Sequence, residues 1–107
     1  MNVVATGTII GDEASGQVTV STADTGAKIS IQDLRVPAGA PDARLYVSSD
    51  TTGAFSDAAT ELGILDNEQT EGVWELPTGL DPADIRSVLI YCKQYSVMFG
   101  TALVTTS

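Results

Sequence analysis

Residues 88–92 read Val-Leu-Ile-Tyr-Cys and form the longest wholly apolar run in the chain. A strand with one face in water alternates apolar and polar residues, whereas this run is apolar on both faces. It therefore predicts a central strand that is covered on both sides. The run is too short to cross a bilayer, because a membrane-spanning helix needs about 20 apolar residues.

Segments on either side of this strand alternate apolar and polar residues, which is typical of half-buried strands. The residues predicted to point inward are Val18, Val20, Ile29, Ile31, Leu45, Val47, Trp74, Leu76, Val97, Phe99 and Leu103. After Ile31 the next inward residue is Leu34, so the alternation slips by one position. This slip predicts a β-bulge near residues 32 and 33.

Two short segments are predicted to form single helical turns, at residues 57–60 and 81–84. In the second, Asp81 is the expected N-cap and Pro82 the first helical residue. With about eight short strands at regular spacing, the chain is expected to form an antiparallel β-sandwich or flattened barrel. The 107 residues contain no repeat and no linker, so one domain is expected to span residues 1–107.

Composition excludes several classes of function. With no histidine and one cysteine, the chain can form neither a Cys/His zinc site nor a Ser-His-Asp triad. Its net charge of −9 opposes nucleic acid as a partner, because phosphate contacts need Lys and Arg. No nucleophile and base pair is recognisable, so a stand-alone enzyme is not expected.

Two sets of loop residues resemble ligand sites only superficially. The spacing of Gly7, Gly11 and Gly16 fits neither a dinucleotide fingerprint nor a P-loop, and these residues are predicted to be turn glycines. Asp66 and Glu68 are the weak calcium candidates, since loop carboxylates can bind calcium. The EF-hand pattern is absent and acidic turn residues mostly serve turn chemistry, so calcium is not expected.

Cys92 has the side chain best suited to redox chemistry, and two interpretations of its role remain open. Free cysteine is often a small buried hydrophobe, and the residues alone favour that structural role. In the other interpretation Cys92 is a reactive thiolate. The positive charge of Lys93 could stabilise that thiolate only if the strand ends at Cys92 and the chain turns there. The surrounding shell is predicted to contain Trp74, Tyr91, Lys93, Tyr95 and Phe99.

The C-terminal third resembles the DM-thirteen domain family, which is proposed to transfer electrons and often occurs beside DOMON domains. The resemblance lies in Trp-Glu-Leu-Pro at residues 74–77, Ser-Val-Leu-Ile-Tyr-Cys-Lys at 87–93 and Phe-Gly-Thr-Ala at 99–102. Residues 14–18 and 41–48 match more weakly. The chain departs from the family pattern at two positions. The histidine that family members often have in the first loop is absent here. Tyr91 occupies the position before the cysteine, where family members commonly have tryptophan.

The resemblance implies a β-sandwich-like domain that lies outside the cytoplasm and acts with a redox protein partner. It implies that Cys92 does redox work, as a bare thiol or as a ligand to a prosthetic group such as haem. Without histidine, a second haem ligand would have to be Met98 or a tyrosine. No cofactor is identified, and neither membrane insertion by this domain nor nucleic-acid binding is expected.

The rival hypothesis is a ligand-binding or adhesion module in which Cys92 is structural and the loops at residues 11–16, 49–56 and 66–72 recognise the partner. The compartment also stays open at this point. Residues 1–4 show no signal peptide, so the protein is either cytoplasmic or derived from a longer exported precursor.

Overall fold

The computed structural model describes residues 2–11, 14–24, 26–37, 39 and 42–106. Within them the chain is all-β, apart from one 3-10 turn at Pro82–Asp84. The strands are β1 (Asn2–Ile10), β2 (Ser15–Ala23), β3 (Gly26–Arg35), β4 (Ala43–Ser48), β5 (Ala59–Ile64), β6 (Gly72–Glu75), β7 (Ser87–Cys92), β8 (Val97–Leu103) and β9 (Thr105–Thr106).

The strands form one sheet in the order β5-β4-β7-β8-β1-β2-β3-β6, and β9 pairs with β1. All pairings among the described residues are antiparallel. The two end strands approach each other, since a Cβ on Gly63 of β5 would lie 3.7 Å from Nε1 of Trp74 on β6. The predicted fold class is therefore confirmed, as an antiparallel sheet that curls into a nearly closed, flattened barrel.

The core lies inside the curled sheet and consists mainly of the predicted inward residues. The side chains that are almost fully buried there are Val18, Val20, Ile29, Ile31, Leu45, Val47, Val88 and Ile90. As predicted, β7 is central, because it pairs with β4 on one side and β8 on the other. Burying branched aliphatic side chains in this way supplies about 1.5–3 kcal/mol for each residue.

The β-bulge predicted in β3 is confirmed. Gln17 pairs with Gln32 while Ser15 pairs with Arg35, so β3 holds one extra residue opposite Gly16. Asp33 takes up the distortion with a φ of 53°, in the left-handed region that short polar residues tolerate best. The bulge returns Leu34 to the core side.

The predicted turn at residues 81–84 is also confirmed, since Asp81 Oδ1 accepts a hydrogen bond of 2.9 Å from the backbone N–H of Ala83. The helical turn predicted at residues 57–60 is wrong. There β5 begins at Ala59, which pairs with Ser48 of β4. Pairing with a neighbouring strand outweighs the weak local preference of a short segment.

The inward row predicted for the last strand is only partly right. Phe99 is partly buried and packs against the core, whereas Val97 is 45% exposed and Leu103 is 52% exposed. Val97 pairs with the buried Cys92 but lies at the exposed start of β8. A bulge follows, since Tyr91 pairs with Met98 but Ile90 pairs with Gly100. The alternation therefore changes phase, so that Gly100 and Ala102 face the core and Leu103 points outward.

Two of the glycines predicted to form turns lie within strands. A Cβ on Gly7 in β1 would lie 2.6 Å from the carbonyl oxygen of Leu103, and one on Gly16 in β2 would lie 2.8 Å from a methyl group of Ile31. Both positions need glycine because neighbouring atoms approach the backbone closely.

A second buried layer lies on the outer face of β4 and β7. Tyr46 and Leu89 point away from the barrel interior, yet they are only 5% and 0% exposed. Residues 49–58, here called the cover segment, cross this face between β4 and β5. The segment is fixed by a hydrogen bond of 2.9 Å from Thr101 Oγ1 to the carbonyl oxygen of Gly53.

Candidate functional site

Cys92 lies at the end of β7 and its side chain is buried. The residue is 1% exposed and sits opposite Ala43 of β4 and Val97 of β8. Since directly opposed residues share a face of the sheet, Cys92 lies on the same side as Ala43, which belongs to the core. The alternation of β7, which buries Val88 and Ile90, therefore carries the sulfur to one end of the barrel interior.

The chain turns immediately after Cys92, where β7 ends. The turn, residues 93–96, is exposed throughout, and Ser96 completes it with a φ of 56°. The backbone N–H of Tyr95 points back and donates a hydrogen bond to Cys92 Sγ at 3.3 Å. The N–H of Lys93 donates to the carbonyl oxygen of Asp42 at 3.4 Å, which ties the turn to the start of β4.

The Cys92 sulfur is covered in this arrangement. The residue is 1% exposed, and the backbone N–H that approaches Sγ belongs to the turn at residues 93–96. A reagent that is to react with the thiol therefore needs a local movement at this end of the barrel.

The residues predicted to surround Cys92 do not form one shell. Tyr95 contributes its backbone N–H, while its side chain is 61% exposed. Lys93 is exposed, and Tyr91 points to the opposite face of β7. Trp74 lies where β5 approaches β6, and Phe99 packs partly buried against the core from β8.

The aromatic residues instead form a cluster beneath the cover segment. We call Tyr46, Phe55 and Tyr91 the aromatic cluster. The rings of Phe55 and Tyr91 are parallel with centroids 3.8 Å apart, and Tyr46 meets both edge-on, at 5.1 Å from Phe55 and 5.8 Å from Tyr91. Stacked and edge-on contacts of this kind each add about 0.5–1.5 kcal/mol beyond burial.

An ionic network borders the aromatic cluster. Arg44 Nε donates to Asp42 Oδ1 at 2.8 Å, and its Nη1 donates to both carboxylate oxygens of Glu61 at 3.0 Å. The Tyr46 hydroxyl donates to Glu61 Oε1 at 3.3 Å. Burial, together with the negative charge of Glu61, raises the pKa of Tyr46 above its ordinary value of 10.0.

Sequence reasoning missed this cluster for an identifiable reason. Tyr46 alternates with the inward Leu45 and Val47, so the sequence pattern places it on the outward side of β4, where a polar ring needs no explanation. Phe55 stands alone in a polar loop, and nothing in the sequence shows which strands that loop crosses. The one available signal was that residues 88–92 are apolar on both faces, which requires some segment to cover the outer face of β7.

The residues near Cys92 do not fit a haem. Met98 pairs with Tyr91 and so shares the outer face with it, whereas Cys92 faces the interior, and these two side chains cannot ligate one iron. Of four surface clefts lined by described residues, none includes Cys92. Because Cys92 is 1% exposed, a planar prosthetic group could reach the sulfur only after a local rearrangement.

Among the described residues, no three or more His, Cys, Asp or Glu side chains form a group that could hold a metal ion. Asp66 Oδ1 accepts a hydrogen bond of 2.9 Å from the N–H of Glu68, as in a capped turn, and Glu68 is exposed. The acidic pair at residues 12 and 13 lies outside the described residues.

No helix in the described part of the chain has the length and apolar character needed to span a bilayer.

Comparison with protein families gives one finding. The family described as electron transfer DM13 matches residues 10–104, which is most of the chain. No curated protein and no solved structure matches the chain significantly.

Proposed function

The chain belongs to the electron-transfer DM13 family, and from this premise we propose that it is an extracytoplasmic redox domain whose electron-donating group is the Cys92 thiol. The family description supports electron transfer as the class of function. The choice of Cys92 as the reacting residue, its thiol chemistry and the location outside the cytoplasm are our proposal.

The observation that carries the choice of Cys92 is the hydrogen bond of 3.3 Å from the Tyr95 N–H to Sγ. A buried cysteine that serves only as a small hydrophobe has no need of a donor aimed at its sulfur. The donor belongs to the turn at residues 93–96, so this hydrogen bond breaks when the turn opens.

Access to the sulfur requires a local opening of residues 93–96. All of these residues are exposed, and the hydrogen bond from Lys93 to Asp42 is long at 3.4 Å. Segments with exposed backbone and few buried contacts open at low free-energy cost compared with global unfolding. The turn is therefore suited to act as a small cover that admits a reaction partner.

The redox step is thiol–disulfide exchange with a partner protein that carries a disulfide. The Cys92 thiolate attacks one sulfur of that disulfide, and its electron pair forms the new S–S bond. The partner's S–S bond breaks, and its bonding electrons leave with the released thiolate, which takes up a proton. Cys92 is thereby oxidised and the released partner sulfur is reduced.

Thiol titration tests the proposal. Native protein is treated with a small aromatic disulfide reagent and with glutathione disulfide, and the adducts are measured by mass spectrometry beside an absorbance spectrum of freshly purified protein. We expect one adduct on native protein, which forms more slowly than on unfolded protein and is absent from Cys92→Ser. A native thiol that stays inert while the unfolded thiol reacts would falsify the proposal.

A second candidate function is favoured by the burial of Cys92, which is 1% exposed and lies on the core side. In that case the domain is a binding or adhesion module, and its loops at residues 11–16, 49–56 and 66–72 recognise a ligand. Cys92→Ala would then leave partner binding unchanged, and no disulfide adduct would form on native protein. The same titration therefore separates the two functions.

The proposed compartment and partners follow from the family resemblance and the charge. The partner is a redox protein, not a nucleic acid, because phosphate would be repelled by a chain with a net charge of −9. The domain itself is proposed to lie outside the membrane. Labelling of intact cells with a membrane-impermeant amine reagent tests the location, since a cytoplasmic chain would stay unlabelled until lysis.

A further inference from the structure

Tyr46 and Glu61 form a phenol–carboxylate pair on the face of the sheet opposite to Cys92. The two residues face each other across β4 and β5, and the Tyr46 hydroxyl donates to Glu61 Oε1 at 3.3 Å. Arg44 holds the same carboxylate through two contacts of 3.0 Å. The Glu61 carboxylate is therefore held within hydrogen-bond reach of the phenolic proton of Tyr46.

We propose that Tyr46 is a second redox group of this protein, which is oxidised by one electron while Glu61 accepts its phenolic proton. The proposal goes beyond the thiol function of Cys92 and does not depend on it. The oxidant is a one-electron acceptor of a partner, such as a metal centre in its higher oxidation state.

The step balances in charge and atoms. The Tyr46 O–H bond breaks, the proton crosses the existing hydrogen bond to Glu61 Oε1, and one electron passes to the oxidant. The products are a neutral tyrosyl radical, a protonated Glu61 and a metal centre reduced by one electron. Without a proton acceptor the oxidised phenol would be a cation in a buried site, which is strongly unfavourable.

Tyr46 is the tyrosine whose surroundings fit this role. The chain has three tyrosines, and among the described contacts only Tyr46 donates its hydroxyl to a carboxylate. The Tyr95 hydroxyl accepts from Gln94 Nε2 at 3.4 Å, and its side chain is 61% exposed, where a radical would be open to solvent. Tyr91 stacks on Phe55, with no carboxylate partner among the described residues.

Phe55 serves this pair in two ways. It is 40% exposed and its ring lies 5.1 Å from that of Tyr46, so it connects the buried phenol with the surface where a partner docks. It also covers Tyr46, which is only 5% exposed, and so keeps water and reductants away from the radical. Such exclusion of water is how proteins protect reactive intermediates.

Photo-oxidation tests the proposal. The probe is tris-bipyridine ruthenium(III), which is generated by a light flash in the presence of persulfate, and the radical is recorded by freeze-quench electron paramagnetic resonance. The Cys92→Ser chain is the reference, so that no sulfur radical contributes. We expect a tyrosyl signal that Tyr46→Phe removes and that Tyr91→Phe and Tyr95→Phe leave in place.

Glu61→Gln tests the proton acceptor. Loss of a positioned base costs about 100-fold or more in rate, and the formation of the radical is expected to slow by that factor. In the reference chain, radical formation is expected to be slower in D₂O than in H₂O, because the proton moves together with the electron. This measurement needs no substitution of Tyr46 or Glu61.

Three results would overturn the proposal. They are a full signal in Tyr46→Phe, an unchanged rate in Glu61→Gln, and the absence of any solvent isotope effect. Circular dichroism and the melting temperature of each variant show whether it is folded, and the isotope effect decides the question where a variant is not. Failure of the thiol function leaves all three readouts unaffected, because the reference chain lacks the thiol.

Discussion

Tyr91 and Cys92 are adjacent in β7, yet their side chains belong to different layers of the protein. Cys92 faces the core beside Ala43, whereas the Tyr91 ring stacks on Phe55 at a centroid distance of 3.8 Å on the outer face. One strand therefore joins a buried thiol inside the barrel to an aromatic cluster outside it.

The hydrogen bond from Tyr95 to Cys92 is expected to keep the turn at residues 93–96 closed. Tyr95→Pro removes the N–H donor, whereas Tyr95→Ala retains it. Since one hydrogen bond contributes about 1 kcal/mol, native Cys92 should react with a thiol reagent about fivefold faster in Tyr95→Pro than in Tyr95→Ala. Equal rates in the two variants would show that this bond does not hold the turn.

Phe55 is expected to stabilise the fold through the aromatic cluster. Phe55→Ala removes its ring from both Tyr46 and Tyr91, and the expected loss is about 1–2 kcal/mol in the free energy of unfolding. Phe55→Leu keeps an apolar cover and should lose less. Urea denaturation measures both variants, and a neutral Phe55→Ala would mean that the cover segment is held by its polar contacts alone.

Stability is expected to fall at high pH because of Tyr46. Its pKa is raised in the folded protein above 10.0, chiefly by burial. As the pH rises, the unfolded chain therefore loses its phenolic proton before the folded chain does. The contribution of Tyr46 to stability is complete below the ordinary pKa of 10.0, and it is lost as the pH rises through the raised pKa of the folded protein. Urea denaturation from pH 9 to pH 11 should show a steeper decline in the wild type than in Tyr46→Phe. Parallel curves would contradict the assignment.

Gly7 is expected to be indispensable and Gly63 replaceable. In Gly7→Ala the new Cβ would lie 2.6 Å from the carbonyl oxygen of Leu103, whereas in Gly63→Ala it would lie 3.7 Å from Trp74, an ordinary contact. Overpacking against backbone costs about 1–3 kcal/mol. Thermal unfolding should therefore show a clear loss for Gly7→Ala and little change for Gly63→Ala.

Much of the fold was predictable because alternation and apolar runs report burial directly. The central place of β7, the inward Val18 and Val20, and the bulge at Asp33 all follow from local pattern. The family resemblance around Cys92 was also visible in the sequence.

The errors arose where distant strands decide the structure. The alternation that starts at Val97 predicts an inward Leu103, whereas the bulge opposite Tyr91 shifts the phase and turns Leu103 outward. The meeting of Tyr46, Phe55 and Tyr91 depends on the path of the cover segment across β7. The predicted position of Trp74 beside Cys92 treated proximity in the chain as proximity in space.

The sheet order has a consequence for how the chain folds. The central neighbours β4-β7 and β8-β1 join segments that are far apart in sequence. During synthesis β1, β2 and β3 can pair as a meander and β4 can pair with β5, but nothing joins these two units until β7 and β8 have emerged from the ribosome. Folds dominated by such distant pairings form slowly. The earlier strands therefore wait with exposed apolar faces until β7 and β8 fill the middle of the sheet.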